Sequence, residues 1–411
     1  MTPRKKSLLD VPSAELAGRR ALVRVDFNVP LQGDPPDVRD ASRIEAALPT
    51  LEYLRQAGAR LVLVSHLGRP KGKPDPALSL RPVARDLSAR LGVAVEFLED
   101  PLAPGATEVA ARLPRGGVVL AENLRFWPGE SANDPAFAAG LARLGELFVQ
   151  DAFGSVHRAH ASTVGVPGLL RPAVSGLLVA RELAAFGRLL ETPERPYVAI
   201  LGGAKISGKL ETLQAILERA DHVLVGGGMA STFYLAMGRE VGRSLVEPDL
   251  VKVARGLLES PHGTKLTLAE DVVVAPSLVG DAPARVVAAD AIPADAAVGD
   301  IGPASRERFA GIVASARTLF WNGPMGVFEV PAFSEGTRVL GRAVVRATEA
   351  GAFTLVGGGD SAAALAEMGL EGGVSHLSTG GGAGLELLAG RELPGIAALE
   401  DAPGAAGGAK R

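Results

Sequence analysis

Short apolar runs recur along the whole chain, and each gives way to a loop rich in Gly, Asp, Asn, His or Arg before a helical stretch begins. In the front half they are ALVRV before DFNVP, RLVLV before SHLGRP, VAVEF, VVLAE before NLRF, and LFVQ before DAFG. In the back half they are YVAIL before GGAK, HVLV before GGGMA, TLFW before NGPMG, FTLV before GGGDS, and VSHL before STGGGA, with DVVVA at 271–275 as one more. Strand–helix alternation at this rhythm predicts parallel sheets with crossover helices, in two copies. Runs such as RLVLV are continuous rather than alternating, as strands buried on both faces should be. At 411 residues the chain is also too long for one ordinary core. The expected fold is α/β: two Rossmann-like, doubly wound parallel-sheet domains, 1–180 and 181–392, joined by a hinge helix. RELAAFGRLLETPERP supplies that helix, with Leu183, Phe186 and Leu190 on one stripe and Pro193 and Pro196 as its stop. The end of the chain, 401–411, has almost nothing to bury and is expected to fray.

Composition removes several classes of function. Aromatic residues make up only 4%, too few for base-stacking platforms, and a net charge of −3 gives no general attraction to nucleic acid or membranes. There is no cysteine, hence no disulfide, thiolate metal site or cysteine nucleophile. Asp10, Pro12 and Glu15 interrupt any signal-type apolar region near the start, and no run approaches the ~18 apolar residues of a membrane span. These readings predict a cytoplasmic protein.

In a doubly wound sheet, ligands bind beyond the carboxyl ends of the strands, so the loops there carry the information. Those of the front half share one chemistry: Asp26 and Asn28, Arg39 and Arg43, His66 and Arg69, Arg125, then His157, Arg158 and His160. Arginine's planar fork suits carboxylate or phosphate and keeps its charge, so this half reads as a receptor for a small polyanion. HRAH spaces two histidines three apart, but no further ligand completes a zinc site, and anion-binding or structural roles are favoured.

The back-half loops are rich in glycine: 202–203, 226–228, 323, 357–359 and 380–382. A strand running through a glycine turn into a helix aims backbone N–H groups at an anion, usually phosphate. Lys205 and Lys209 add cations to the first turn, Asp360 offers one hard carboxylate for Mg²⁺, and Glu329 is a candidate ribose partner. Gly203, Gly208 and Lys209 also fit G-x-x-x-x-G-K, but Leu210 stands where a P-loop needs a hydroxyl, so a P-loop NTPase is the alternative reading. A polyanion-binding module without catalysis, gripping RNA for instance, is a third, disfavoured by charge and composition. An arginine-lined half and a glycine-lined half suit phosphoryl transfer between two anions, which needs positioning, charge neutralisation and exclusion of water.

The ordered set RVDFNVP, RIEAALPT, SHLGRP, ENLRF, DAFGSVHRAHAS, GGAKISGK, GGGMA, DIGP, WNGPMGVFE, GGGDS and STGGGA resembles the phosphoglycerate kinase family over nearly the whole chain. The resemblance implies Mg²⁺-dependent, reversible transfer between 1,3-bisphosphoglycerate and ADP, giving 3-phosphoglycerate and ATP, by domain closure and direct in-line displacement. It assigns the glycerate substrate to the first domain, completed by 393–411, and the nucleotide to the second. Asp26, Asn28, Arg43, His66, Leu67, Gly68, Arg69, Arg125 and Arg158 would bind the glycerate. Arg43, Lys205, Gly381 and Gly382 would act on the transferring group. Lys205, Lys209, Glu329, Gly358, Gly359, Asp360 and Ser361 would hold nucleotide, with Asp360 at the metal. The family also implies a monomer, and the charge and composition predict no nucleic-acid or membrane partner. Three departures stand out: Gly208 where the family commonly has Asp, Gly384 in place of a Ser whose loss would weaken a helix cap by up to ~1 kcal/mol, and a proline-rich loop at 32–37 that bears on how Arg39 and Arg43 are presented.

Overall fold

The computed structural model describes residues 4–280 and 283–402. The chain forms two compact units: Met1–Leu183 with Glu392–Arg411, and Ala184–Arg391. In the first unit the strands are β1 (Arg20–Arg24), a ribbon of β2 (Leu31–Gln32) and β3 (Asp37–Val38), then β4 (Arg60–Val64), β5 (Val95–Leu98), β6 (Val118–Ala121), β7 (Leu147–Gln150) and β8 (Ala173–Ser175). All but the ribbon join one parallel sheet in the order β5-β6-β4-β1-β7-β8. Strands β6 and β7 are buried along their whole length, and β1 and β4 in all but their first residue, because helices cover both faces. One core runs from Leu22's neighbours Ala21 and Val23 through Leu61, Leu63, Val118 and Val149 to the helix residues Ile44, Leu51, Leu54, Val83 and Leu87.

The second unit holds β9 (Tyr197–Leu201), β10 (His222–Val225), β11 (Leu266–Leu268), β12 (Asp271–Ala275), β13 (Arg285–Ala288), β14 (Ala297–Ile301), β15 (Thr318–Asn322), β16 (Phe353–Gly357) and β17 (His376–Leu377). Its parallel sheet has the order β11-β10-β9-β15-β16-β17, with Asn322 level with Leu201 on one side and Gly357 on the other. A fully buried Trp321 anchors the centre of this sheet.

Several expectations need correction. DVVVA does not join a parallel sheet: as β12 it pairs antiparallel with β13 and β14 in a separate sheet. A run of valines is compatible with either pairing, so its sequence carries no information on the choice. Strands β8 and β11, of three residues each, are too short to show a pattern in the sequence. The helix expected around 180–196 spans Leu177–Leu190, and the boundary between the units falls inside it. Its buried face holds Leu178, Val179, Glu182, Ala185, Phe186 and Leu189, so Leu183 and Leu190 are not on the stripe. The proline-rich loop at 32–37 closes the two-residue ribbon β2–β3. Asp401 and Ala402 are held, Asp401 pairing with Lys5 and Ala402 being buried; the rest of the tail, 403–411, lies outside the described residues.

Candidate active site

In the first unit the loops leaving the carboxyl ends of the neighbouring strands β6, β4, β1 and β7 converge on one cavity of about 170 Å³. It is lined by Asp26, Asn28, Arg43, His66, Gly68, Arg69, Arg125, Gly154, Ser155 and Arg158. Arg69, Arg125 and Arg158 also line a wider recess of about 550 Å³, together with Lys71 and His160. Leu67 is in the same loop as His66 but buried, exchanging backbone hydrogen bonds with the Asn123 side chain. Arg39 does not line the cavity and is exposed. Gly154 and Ser155 belong to it although they carry no charge, and only their position next to Arg158 in DAFGSVHR would have suggested them.

Hydrogen bonds tie these loops together before any ligand arrives. Arg43, in the first turn of the helix Ser42–Gln56, donates to Asp26 Oδ2 at 2.5 Å. Asp26 Oδ1 accepts from the Asn28 amide at 3.3 Å, and Asn28 Oδ1 accepts from the Gly68 amide at 2.9 Å. The Gly68 carbonyl in turn accepts from Arg125 Nη1 at 2.8 Å. Arg43 and Arg125 each retain further N–H donors. Burial, then the charges of Arg158 and Arg24, push Arg125 down to about 10. Burial, then Arg125 and Arg24, push His160 down to about 4. Clustered guanidinium groups that raise one another's free energy gain most from an anion, which removes the repulsion.

The second unit presents the glycine loops at the ends of β9, β15 and β16. Lys209 does not project freely: its Nζ donates to the carbonyls of Gly202 at 2.6 Å and Asn322 at 3.1 Å, and burial, partly offset by Asp360, lowers it to about 8. The Asn322 side chain donates to the Gly357 carbonyl at 2.8 Å, and Ser361 Oγ accepts from the Gly323 amide at 2.6 Å. Gly358 has φ +96°, a conformation that favours glycine, and a Cβ there would lie 2.9 Å from Asn322 Nδ2. A Cβ on Gly381 would lie 2.8 Å from Gly358 Cα, so the β16 loop and the start of the helix Gly381–Leu388 are in contact. Gly359, Asp360 and Gly382 are exposed in the first turns of their helices. Lys205 and Glu329 are also exposed, and their side chains have no hydrogen-bond partner among the described residues. The loop carrying Lys205 is tethered by Glu247, whose carboxylate accepts from the Ile206 and Ser207 amides at 2.5 and 3.1 Å.

The departures resolve into separate cases. A Cβ at Gly208 would meet nothing within 4 Å, so an Asp fits there. Gly384 plays no cap role, since the N-cap is Gly380; a Cβ at 384 would meet Phe186 Cζ at 2.3 Å. Among the described residues no three His, Cys, Asp or Glu side chains gather to hold a metal, and no helix is long and apolar enough to cross a membrane.

A sequence model described as phosphoglycerate kinase matches residues 11–391. The chain is similar to a phosphoglycerate kinase of Chloroflexus aurantiacus, 52% identical over 402 residues that cover 97% of this chain and 99% of the relative. It is 50% identical to one of Chlorobaculum tepidum over 399 residues, 97% of this chain and 100% of the relative. Among solved structures it is similar to phosphoglycerate kinase from Coxiella burnetii, with a TM-score of 0.85, 40% identity and coverage of 96% and 98%. The enzyme from Pyrococcus horikoshii gives a TM-score of 0.83 at 31% identity, with the same coverage.

Proposed function

The chain belongs to the phosphoglycerate kinase family, glycolytic phosphotransferases acting on phosphoglycerate and adenine nucleotide, and from that premise we propose how its own residues divide the work. The reaction is the reversible transfer of a phosphoryl group between 1,3-bisphosphoglycerate and ADP. The observation that carries the proposal is the cavity in the first unit, where Arg43, Arg69, Arg125, Arg158 and His66 surround a space sized for a small anion. Four arginines there supply fork-shaped donors for carboxylate and phosphate, and the Asp26–Asn28–Gly68 chain fixes two of them in advance.

Arg43 orients the reacting carboxylate and neutralises charge on the transferring group. Lys205, exposed and without a hydrogen-bond partner among the described residues, follows that group from one anion to the other. Lys209 exchanges its two carbonyl partners for nucleotide phosphate, while the first-turn amides at Gly358–Ser361 and Gly381–Gly382 donate to phosphoryl oxygens. Glu329 meets the ribose. Asp360 would hold Mg²⁺, which shields phosphate charge and needs few protein ligands when it rides on the nucleotide; a lone exposed carboxylate in the first turn of a helix fits that role. Transfer requires Arg43 and Lys205, which belong to different units, to meet around both substrates, and closure supplies that together with exclusion of water.

The test is ATP consumption with and without 3-phosphoglycerate. Arg43→Ala and Lys205→Ala are expected to lower kcat by about a hundredfold or more while nucleotide affinity changes little. Undiminished turnover in either variant refutes its role, and hydrolysis at full rate without the glycerate acceptor returns the P-loop alternative.

A further inference from the structure

Arg24 lies behind the cavity wall, outside the set of residues that line it. It ends β1, between β4 and β7, and is 1% exposed. Its Nε donates to Ser162 Oγ at 2.9 Å, its Nη1 to the Val25 carbonyl, and its Nη2 to Ser155 Oγ at 3.4 Å and to Nδ1 of His66 at 3.0 Å. Ser162 passes the interaction on: its Oγ donates to Glu130 Oε1 at 2.6 Å and its amide to Oε2 at 3.0 Å. Glu130 is fully buried, and it and Asp26 are the anions that balance the Arg24 charge.

The partner chemistry decides the state of the histidine. A guanidinium has donors and no acceptor, so the atom facing it at 3.0 Å must offer a lone pair. His66 Nδ1 is therefore unprotonated and the ring proton sits on Nε2. An imidazolium would set one N–H against another. His66 is 5% exposed and lines the cavity, and its Nε2 has no protein partner among the described residues. The opposite tautomer would turn a lone pair toward an anion and repel it.

We infer that Arg24 is a positioning residue that locks His66 as the Nε2–H tautomer, so that the imidazole gives the anionic substrate a neutral hydrogen-bond donor. The inference rests on the reading of this cavity as the glycerate-substrate site. Burial first, then Arg24, Arg125, Arg43 and His160, favour the uncharged ring and hold it well below the usual imidazole range, against the Asp26 carboxylate in the same cavity lining. The donor thus keeps its single proton throughout the neutral range, and its contribution to binding does not titrate away.

Long-range ¹⁵N spectra of the uniformly labelled full chain test the tautomer directly. Protonated Nε2 with bare Nδ1 at neutral pH is expected; a proton on Nδ1, alone or with Nε2, overturns the inference. In kinetics, Arg24→Met is expected to raise KM for 3-phosphoglycerate about tenfold or more while KM for ATP stays within about twofold. Arg24→Lys, which retains a donor, recovers part of the loss. The same Arg24→Met substitution adds little in a His66→Ala background, because it acts through that ring; full additivity counts against the inference. His66→Ala by itself keeps the two readings apart. If it leaves KM for 3-phosphoglycerate unchanged, the assignment of the cavity fails; if it raises KM while Arg24→Met does not, only the inference fails. The spectrum of the unsubstituted chain decides the tautomer even if Arg24→Met does not fold.

Discussion

At Lys209 the ammonium group spends its donors on two backbone carbonyls at the ends of adjacent strands, Gly202 and Asn322. Its folded value of about 8 is below the unfolded 10.5, so its burial destabilises the fold fully below about pH 8, and that cost is lifted as pH rises toward about 10. A phosphate brought to Nζ favours the charged form and returns the proton. Nucleotide binding between about pH 8 and 10 is therefore expected to take up protons, seen by calorimetry in buffers of different ionisation enthalpy, and Lys209→Met should abolish the uptake. Equal uptake in the variant would exclude Lys209 as the phosphate partner. Gly384 offers a steric case. Gly384→Ser places a Cβ 2.3 Å from the Phe186 ring and is expected to cost about 1–3 kcal/mol, read as a lower denaturation midpoint of the second unit. A gain in stability would restore the capping argument.

The helix Leu177–Leu190 begins with two side-chain acceptors from the first unit. Thr50 Oγ1 accepts from the Leu177 amide at 2.9 Å and Asp151 Oδ1 from the Leu178 amide at 3.0 Å. They satisfy N–H groups that a helix start leaves without intrahelical partners. Gly176 makes room for this, since a Cβ there would be 2.1 Å from Asp151 Oδ1. Asp151 is fully buried, and burial pushes its carboxyl up to about 8, against 3.8 when unfolded. The folded state then holds the proton to higher pH, so the contribution of Asp151 is most favourable below about pH 4 and is lost as pH rises through about 8. Asp151→Asn keeps an acceptor for Leu178 without the titration. Its stability relative to the parent is expected to improve steadily between about pH 4 and 8 in denaturant unfolding. A difference that stays constant across that range would mean Asp151 is ionised in the folded state as it is in the unfolded chain.

The described residues near both ends, 5–7 and 400–401, meet at the edge of the first unit's sheet. Ser7 pairs in parallel with Ser175 of β8, Lys5 pairs antiparallel with Asp401, and the Glu400 amide donates to the Ala173 carbonyl at 2.9 Å. The Lys5 ammonium reaches the carbonyls of Ala397 and Leu399 at 3.2 and 3.0 Å and Asp401 Oδ1 at 2.7 Å. The returning segment thus covers a strand edge that would otherwise be open. It also buries Leu393, Ile396 and Leu399 to 3%, 3% and 4% exposure, each a contribution of about 1.5–3 kcal/mol. Truncation after Arg391 is expected to lower the melting transition of the first unit by many degrees and leave that of the second nearly unchanged, resolved by calorimetry as two transitions. A single unshifted pattern would show that the first unit is complete without the return.

The sequence by itself determined the class of fold and the location of the chemistry. Continuous apolar runs such as RLVLV and YVAIL fit strands buried on both faces, and where such strands form a parallel sheet the charged or glycine-rich loops after them lie at its carboxyl ends. The arginines of the front-half loops could be found this way because polar groups beside buried strands are conspicuous. Tertiary structure decided what local pattern does not encode. The antiparallel pairing of DVVVA depends on β13 and β14, and the need for glycine at 384 depends on Phe186, 198 positions earlier. The state of His66 depends on Arg24, which in ALVRV is indistinguishable from a charge at a strand end. A hydrogen bond's direction is set by which groups face each other, and only the packed chain brings that donor to that ring.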